Sequence, residues 1–303
     1  SRESEQIIAD YIKKDHLPVQ YVIVNEAGAS VYSASALATE EFPNFDVGQR
    51  SATSMARRLQ DPMAELVKID PKSIGVGQYQ HDMNQTKLSE QLSSVVEDSV
   101  NSVGVDVNTA SFALLSYVSG INKTIARNIV AYREEKGAFT SRKELLKVAK
   151  LGPKAYEQCA GFLRIRNGKE ALDNTAVHPE SYAVAKALLA SMGYTEANLQ
   201  SGKNAQLVAK LQSAKASIPT LAEQLQVGAY TLEDIVQELI RPGRDPREDV
   251  PAPVLRSDVL DFDDLKPEME LQGTVRNIVD FGAFVDIGVH QDGLVHISQL
   301  ADR

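Results

Sequence analysis

Two short segments near the middle of the chain share one pattern, thirty residues apart, and each could bind a phosphate group. The matching positions are Leu115, Val118, Ile121 and Asn122 in the first copy and Leu145, Val148, Leu151 and Gly152 in the second. Each copy is typical of a helix, a tight hairpin and a second helix. A hairpin that presents backbone N–H groups at a helix N-terminus is a natural anion site. The repeat therefore predicts contact with a nucleic-acid backbone, without readout of base sequence.

Each hairpin keeps one of the two glycines that such a turn favours. Glycine takes positive φ at low cost and lets the backbone approach a ligand. The first hairpin has Gly120, with Asn122 at the second glycine position. Asn is the next best residue for that conformation. The second hairpin has Lys150 at the first position and Gly152 at the second.

Cations follow both hairpins at the start of the next helix. Lys123 and Arg127 lie four residues apart after the first hairpin, and Lys154 follows Pro153 in the second. A cation there opposes the helix dipole by about 0.3–1 kcal/mol, so we expect an anion to occupy the site. The predicted phosphate contacts are Gly120, Ile121, Asn122, Lys123, Arg127, Lys150, Leu151, Gly152 and Lys154. The alternative is a pair of ordinary glycine-capped helical turns.

The charge of the chain is unevenly distributed. The 303 residues carry a net charge of -9, whereas residues 106–170 carry +6 and the remainder -15. A basic module in an acidic chain is expected where one part contacts phosphate. A solvated helical surface is the alternative explanation.

Few residues suggest catalysis or a cofactor. Glu26 follows a predicted strand at residues 21–24 and is a weak catalytic candidate, because metal-dependent nucleases need several converging carboxylates. Asp61 and Asp70 precede prolines and are equally typical of helix stops and turns. The five His residues lack zinc spacing with the single Cys159. We predict no metal site, no cofactor and no enzyme, with a metal-dependent nuclease or resolvase as the alternative.

The C-terminal part of the chain predicts a base-stacking surface. Residues 283–287 alternate between apolar core positions and outward positions, which places Phe284 on the outside. Phe281 and His296 are predicted to join it, since base–aromatic stacking contributes about 1–3 kcal/mol per base. The alternative is that Phe281 plugs a barrel end and His296 is merely exposed. Leu294 breaks the alternation without explanation.

The remaining pattern is mainly helical, followed by strands. Helices are predicted at residues 4–14, 30–39, 52–59, 85–103, 179–192, 205–214, 220–226 and 231–240. One strand is predicted at residues 21–24. Three more are predicted at residues 270–279, 283–287 and 293–298, after a proline-rich linker at 241–253. Three C-terminal strands fall short of the about five of an OB-fold. No apolar run approaches the ~20 residues of a membrane span, and one cysteine is typical of a reducing compartment.

Several segments resemble the bacterial transcription accessory protein Tex family. They are residues 24–33, 56–62, 67–82, 104–111, 128–133, 241–246, 281–285 and 292–298. The resemblance implies a multidomain, mainly α chain with a partial α/β RNase H-like segment, a tandem helix-hairpin-helix, a second helical domain and a truncated OB-fold β-barrel. The implied bounds are 1–70 (YqgF/RNase H-like), 71–108 (connector and long helix), 109–168 (tandem helix-hairpin-helix), 169–245 (second helical domain), 246–264 (linker) and 265–303 (S1).

The resemblance also implies a function and a location. It implies a cytoplasmic, non-catalytic scaffold in transcription whose partners are single-stranded RNA and/or DNA, with the S1 domain as main RNA contact. In S1 domains the stacking aromatics and the histidine fall on Phe281, Phe284 and His296. The first strand of the RNase H-like domain, with its usual acid, is expected before Ser1. A protein-interaction scaffold for RNA polymerase or ribosome-associated machinery remains a further alternative.

Overall fold

The structure is a computed structural model that describes residues 2–200, 205–243, 245, 247, 265–289 and 291–300. It divides into two compact units, one formed by Asn25–Val250 and one by Ser1–Val24 with Pro251–Arg303. Most of the predicted linker at 246–264 lies outside the described residues.

The N-terminal part of the smaller unit contains one helix, α1 (Arg2–Lys14), as predicted. The predicted strand at residues 21–24 is wrong, because within that run only Tyr21 takes part in a β-bridge. A strand needs a hydrogen-bonded neighbour along its length, and beyond this bridge the described residues supply none here. Ile23 is accordingly exposed rather than buried.

The larger unit begins with four helices, and a polar side chain caps the N-terminus of each of the last three. They are α2 (Ala29–Ser33), α3 (Ala36–Glu41), α4 (Val47–Gln60) and α5 (Pro62–Leu66). The predicted helix at 30–39 is divided in two, because the Ser35 hydroxyl accepts the Ala38 amide and starts a new helix. Asp61 caps α5 and Asp70 accepts the amide of Lys72, so both acids act as caps.

The repeated pattern folds into a compact module. Its elements are α6 (Gln85–Val103), β1 (Val105–Asp106), α7 (Phe112–Leu115), α8 (Lys123–Lys136), a 3-10 helix (Arg142–Lys147), α9 (Pro153–Cys159) and β2 (Leu163–Arg164). β1 and β2 pair in parallel, which joins the two ends of the module. The matching apolar positions of both copies are buried in one core: Leu115, Val118, Ile121, Leu145, Val148 and Leu151. Burial in a shared core explains why these positions repeat.

A second helical layer with its own core follows. Its helices are α10 (Tyr182–Ser191), α11 (Ala197–Gln200), α12 (Ala205–Ala214), α13 (Ile218–Leu225) and α14 (Ala229–Ile240). Leu188, Leu211 and Leu232 are fully buried in this core. Gly193 takes φ +83° just after α10, as expected of a residue that ends a helix.

The C-terminal part of the smaller unit is a three-stranded antiparallel sheet in chain order. Its strands are β3 (Thr274–Val279), β4 (Gly282–Asp286) and β5 (Gly293–His296). β3 contains a bulge between Val275 and Asn277. The predicted change from helical to strand periodicity is confirmed, and so is the mainly helical, multidomain fold class with a partial OB-like sheet.

Candidate nucleic-acid interface

The two hairpins have the same backbone geometry at their first glycine position. Gly120 takes φ +79° and Lys150, its counterpart, takes φ +66°. The second position is extended instead, with φ -87° at Asn122 and -81° at Gly152. The expectation that Asn122 stands in for a positive-φ glycine is therefore wrong. Its Oδ1 accepts the Ile125 amide at 2.9 Å, so Asn122 caps α8.

The hairpins are held close together by direct packing. A Cβ on Gly120 would lie 2.7 Å from Cβ of Gln158 and 3.0 Å from the carbonyl oxygen of Ala155, so the first hairpin touches α9. Asn128 Nδ2 on α8 donates to the carbonyl oxygen of Ala149 in the second hairpin at 2.7 Å. Each hairpin is therefore braced against the helix that follows the other.

Only some of the hairpin amides are open to a ligand. The amides of Ile121 and Leu151 donate to the carbonyls of Val118 and Val148, at 3.0 and 3.1 Å, and close the turns. Both side chains are buried in the core. The amides of Gly120, Asn122 and Gly152 have no acceptor among the described residues. Gly152, the N-cap residue of α9, has no side chain to cap the helix, which leaves the first-turn amide donors to another acceptor.

The predicted cations fall into two groups. Lys123, Lys150 and Lys154 are exposed, with no ion-pair partner in the described part of the chain. Arg127 is exposed too, but its Nη1 lies 2.6 Å from Oε1 of Glu40 and its guanidinium lies 4.1 Å from the ring centroid of Phe112. The hydrogen bond from Arg127 lowers the pKa of Glu40. The sequence did not reveal this pair because the two residues are 87 positions apart.

The three-stranded sheet brings the predicted stacking residues to one face. Phe284 pairs directly with Leu294 across β4 and β5, and Gly282 pairs with His296. The rings of Phe281 and Phe284 meet edge to face, 6.4 Å apart. Phe281 and Leu294 are each about half exposed. The apolar side chain of Leu294 is explained by this pairing, because Leu294 lies on the same face of the sheet as Phe284 and His296, whereas Val295 lies on the other face.

The His296 ring is oriented by the turn that follows β5. Its Nδ1 accepts the backbone amide of Ser298 at 3.3 Å and lies 2.9 Å from the hydroxyl of that residue. The side chain is exposed. The other ring nitrogen, Nε2, is therefore the atom with which His296 could contact a ligand.

The acids of the N-terminal segment do not converge on a metal site. Glu26 is exposed in the turn before α2, while Asp61 and Asp70 cap other elements. Within the described residues, no group of three or more His, Cys, Asp or Glu side chains could hold a metal ion. In the same part of the chain, no helix is both long and apolar enough to cross a bilayer.

Family comparisons match each of these regions. A Tex protein YqgF-like domain matches residues 1–60, a helix-hairpin-helix motif matches 100–164, an HHH domain matches 170–247, and an S1 RNA binding domain matches 264–303. A Neisseria gonorrhoeae protein named transcriptional accessory protein Tex is 54% identical over the whole chain. The chain belongs to the Tex family.

The relatives are much longer than this chain. An uncharacterised Bacillus subtilis protein, YdcI, is 58% identical over all of the chain, which covers 41% of that protein. The human S1 RNA-binding domain-containing protein 1 is 39% identical over 99% of the chain, and 35% of that protein is covered. The Neisseria gonorrhoeae relative is covered over 39% of its length. The chain thus spans about two fifths or less of these relatives.

One residue important for this Tex-family fold was missed in the sequence. Arg142 is 1% exposed, although it belongs to the basic segment. Its guanidinium donates to the carbonyls of Leu163 and Val177 at 2.9 and 2.8 Å, and to the Tyr182 hydroxyl at 2.7 Å. Tyr182 in turn donates to Asp173 at 2.6 Å. Arg142 therefore ties the hairpin module to the second helical layer and is unavailable to phosphate.

Cys159 is a core residue. It is fully buried in the hairpin module. Burial raises the pKa of its thiol to about 12. Because the thiolate is the reactive form, this cysteine has a structural rather than a chemical role.

Proposed function

We propose that this chain is the nucleic-acid-binding part of a transcription accessory factor and has no catalytic activity of its own. The two hairpins bind backbone phosphates, and the exposed face of the β3–β5 sheet stacks the bases of a single strand. The helix-hairpin-helix and S1 RNA binding matches support a nucleic-acid-binding role, and the name of the Neisseria gonorrhoeae relative supports a role in transcription. A nucleic-acid ligand also favours the cytoplasm as the location.

The observation that carries the phosphate proposal is the arrangement of the two hairpins. They lie side by side and expose the amides of Gly120 and Gly152, with Lys123, Lys150 and Lys154 around them. Backbone donors and cations on one surface bind phosphate oxygens without reading bases. Ile121 and Leu151 support the turns through their buried side chains, and Asn122 offers its own amide while its side chain caps α8.

The stacking proposal depends on apolar side chains that face solvent. Phe281, Phe284 and Leu294 form an apolar strip on one face of the sheet, with His296 beside it. Exposed aromatic residues bind the faces of bases whatever their sequence. The strip therefore favours single-stranded RNA or DNA over a duplex, whose bases are already stacked.

The phosphate proposal is tested by the salt dependence of binding. We expect replacement of Lys123, Arg127 and Lys154 by Ala to weaken binding of all sequences alike. The slope of log K against log salt should fall by about 0.7 per lost contact on a single strand. Lys87→Ala, an exposed lysine on α6, is the matched control. An unchanged slope would remove the hairpins from the binding surface.

The stacking proposal is tested on the sheet. Phe284→Ala is expected to weaken single-strand binding by about 1–3 kcal/mol while leaving the salt slope unchanged. Ile278→Ala is a control, because it pairs with Ala283 and therefore lies on the opposite face of the sheet. Equal effects of the two substitutions would contradict a stacking face.

Two further experiments separate this function from its rivals. The full-length protein is incubated with Mg²⁺ or Mn²⁺ and a branched substrate, with Glu26→Gln as the control. Cleavage that depends on Glu26 would favour a nuclease or resolvase. RNA polymerase or ribosomal proteins recovered with the protein after nuclease treatment would instead favour a protein-interaction scaffold.

A further inference from the structure

A cavity of about 460 Å³ lies in the larger unit, away from both hairpins. It is lined by α4 and α5, by β1 and the loop after it, by α8, and by β2 with the residues that follow. Six cationic side chains line it: Arg57, Lys68, Arg133, Arg164, Arg166 and Arg247. Its size is within the range of small-molecule sites, which is about 300–1,000 Å³.

One of these cations is neutralised by acids of the same wall. Lys68 Nζ lies 2.9 Å from a carboxylate oxygen of Glu41 and 2.8 Å from one of Glu65. Arg57 is only loosely paired, with Nη1 4.0 Å from Glu65, and its side chain is 45% exposed. The local charge around Lys68 is therefore negative or balanced, and Arg57 remains available at the rim.

Two further cations that line the cavity are also paired with acids. Arg247 lies 2.7 Å from Asp61 and 2.6 Å from Asp245. Arg166 is 3.5 Å from Asp106, and its side chain is 70% exposed. These contacts account for the remaining acids that line the cavity in the described part of the chain.

Arg164 is left without a carboxylate partner among the described residues. Its Nη1 donates to the carbonyl oxygen of Gly161, and its guanidinium lies flat against Gly104, where a Cβ would be 2.9 Å from Cζ. Nε and Nη2 have no acceptor in the described part of the chain. Glu238 acts on it only at longer range, and its carboxylate already accepts the Ala176 amide. A partly buried cation in this position has two nitrogens for which the described residues provide no acceptor, and a ligand could supply one.

Arg133 provides a second guanidinium group that donates to backbone carbonyls and has no ion-pair partner among the described residues. Its Nη1 donates to the carbonyls of Val107 and Ala110 at 2.8 and 2.7 Å, which fixes the side chain from one end. Its remaining nitrogens have no acceptor, and no carboxylate lies within ion-pair distance, among the described residues. Burial lowers the pKa of both arginines, to about 10 at Arg164. Neither guanidinium forms an ion pair within the described residues; Asp106 and Glu134 act on Arg133, and Glu238 acts on Arg164, only at longer range.

We propose that this cavity binds a phosphate monoester, held between Arg133 and Arg164. Arginine forks match the oxygens of phosphate, and two of them balance its double negative charge. The exposed Arg57 and Arg166 add attraction at the rim. The hairpins contact diesters along an open surface, whereas this cavity can enclose a terminal group. The phosphate comes from either a free nucleotide or the end of a nucleic-acid strand.

Calorimetric titration of the full chain tests the site. The probes are adenosine 5′-monophosphate and a 5′-phosphorylated trinucleotide, with adenosine and the 5′-hydroxyl trinucleotide as controls. We expect the mononucleotide to bind where adenosine does not, and the terminal phosphate to raise the affinity of the trinucleotide by about tenfold or more. Arg164→Met and Arg133→Met should each reduce this phosphate-dependent affinity by at least about tenfold. A gain from the terminal phosphate of the trinucleotide, without binding of the mononucleotide, would identify the strand end as the source.

Two further variants keep the test decisive. Arg57→Gln with Arg166→Gln changes only exposed rim side chains, so the protein stays folded, and should weaken phosphate binding by about threefold or more. Lys154→Ala should leave mononucleotide affinity unchanged while it weakens strand binding, which separates this site from the hairpins. Equal affinity with and without the terminal phosphate, or no binding at millimolar concentration, would overturn the proposal. So would unchanged affinity in the folded variants.

Discussion

Arg127 and Glu40 form a two-point ion pair, with Nη1 and Nη2 of the arginine 2.6 and 3.3 Å from the two carboxylate oxygens of Glu40. The pair joins α8, the helix after the first hairpin, to α3. Glu40 therefore pairs with the same guanidinium group that we propose as a phosphate contact. A phosphate must displace this carboxylate before it can contact Arg127.

Removal of this competition should strengthen nucleic-acid binding. Glu40→Gln frees Arg127, so we expect affinity for a single strand to rise by about two- to fivefold at low salt. The dependence on salt should become steeper because one more phosphate is contacted. Glu135→Gln, which removes another exposed acid of the larger unit, is the control. A Glu40→Gln protein that binds no better than this control would show that Arg127 makes no phosphate contact.

The competition should also depend on pH. The hydrogen bond from Arg127 lowers the pKa of Glu40, so the ion pair persists below the usual Glu range and is lost only as pH falls through the lowered value. We expect the affinity difference between wild type and Glu40→Gln to be constant at neutral pH. Fluorescence titrations at descending pH should show it shrink only at pH values below the usual range of a glutamate pKa. A difference that vanishes near neutrality would mean that another group controls it.

Lys150 should carry a measurable conformational cost. A left-handed residue other than glycine is disfavoured by about 1–2 kcal/mol, partly offset by the entropy that glycine loses on folding. We therefore expect Lys150→Gly to raise the free energy of unfolding by about 0.5–1 kcal/mol in urea titrations, while it weakens nucleic-acid binding. Lys150→Ala removes the same charge but keeps the strain. It should weaken binding equally without any gain in stability.

Arg142 should be essential for stability rather than for binding. Removal of a buried, fully hydrogen-bonded cation leaves its carbonyl and hydroxyl partners unsatisfied, so Arg142→Met should cost about 3–5 kcal/mol. Urea unfolding measures the loss. Lys143→Met, an exposed neighbour, should change stability by less than about 0.5 kcal/mol. Similar small effects of both substitutions would contradict the role of Arg142 as a link between layers.

The thiol of Cys159 should react only after unfolding. With its pKa raised to about 12 by burial, almost no thiolate exists at pH 8. We expect alkylation by iodoacetamide, followed by mass spectrometry, to be at least about a hundredfold slower in the native protein than in urea. Rapid labelling of the native protein would show that the core around α9 opens readily.

The local features of this protein could be predicted from its amino-acid sequence. The apolar positions of both copies are buried in one core. Because a helix buries residues at a regular spacing, these positions recur at the same spacing in each copy and can be recognised in the sequence. Strict alternation located β4, and the aspartate–proline pairs located caps, since both signals act within a few residues. The domain boundaries inferred from the resemblance remain predictions.

Contacts between side chains that are distant in the sequence became visible only in the folded chain. Arg127 is paired with Glu40 and Arg142 is buried, although neither differs in type from the open lysines near it. The pairing of β4 with β5 places Leu294 directly beside Phe284 on one face of the sheet. Arg133 and Arg164 come to one cavity from separate elements. Such contacts join residues far apart in the chain, and their energies depend on distance and burial, which no local pattern records.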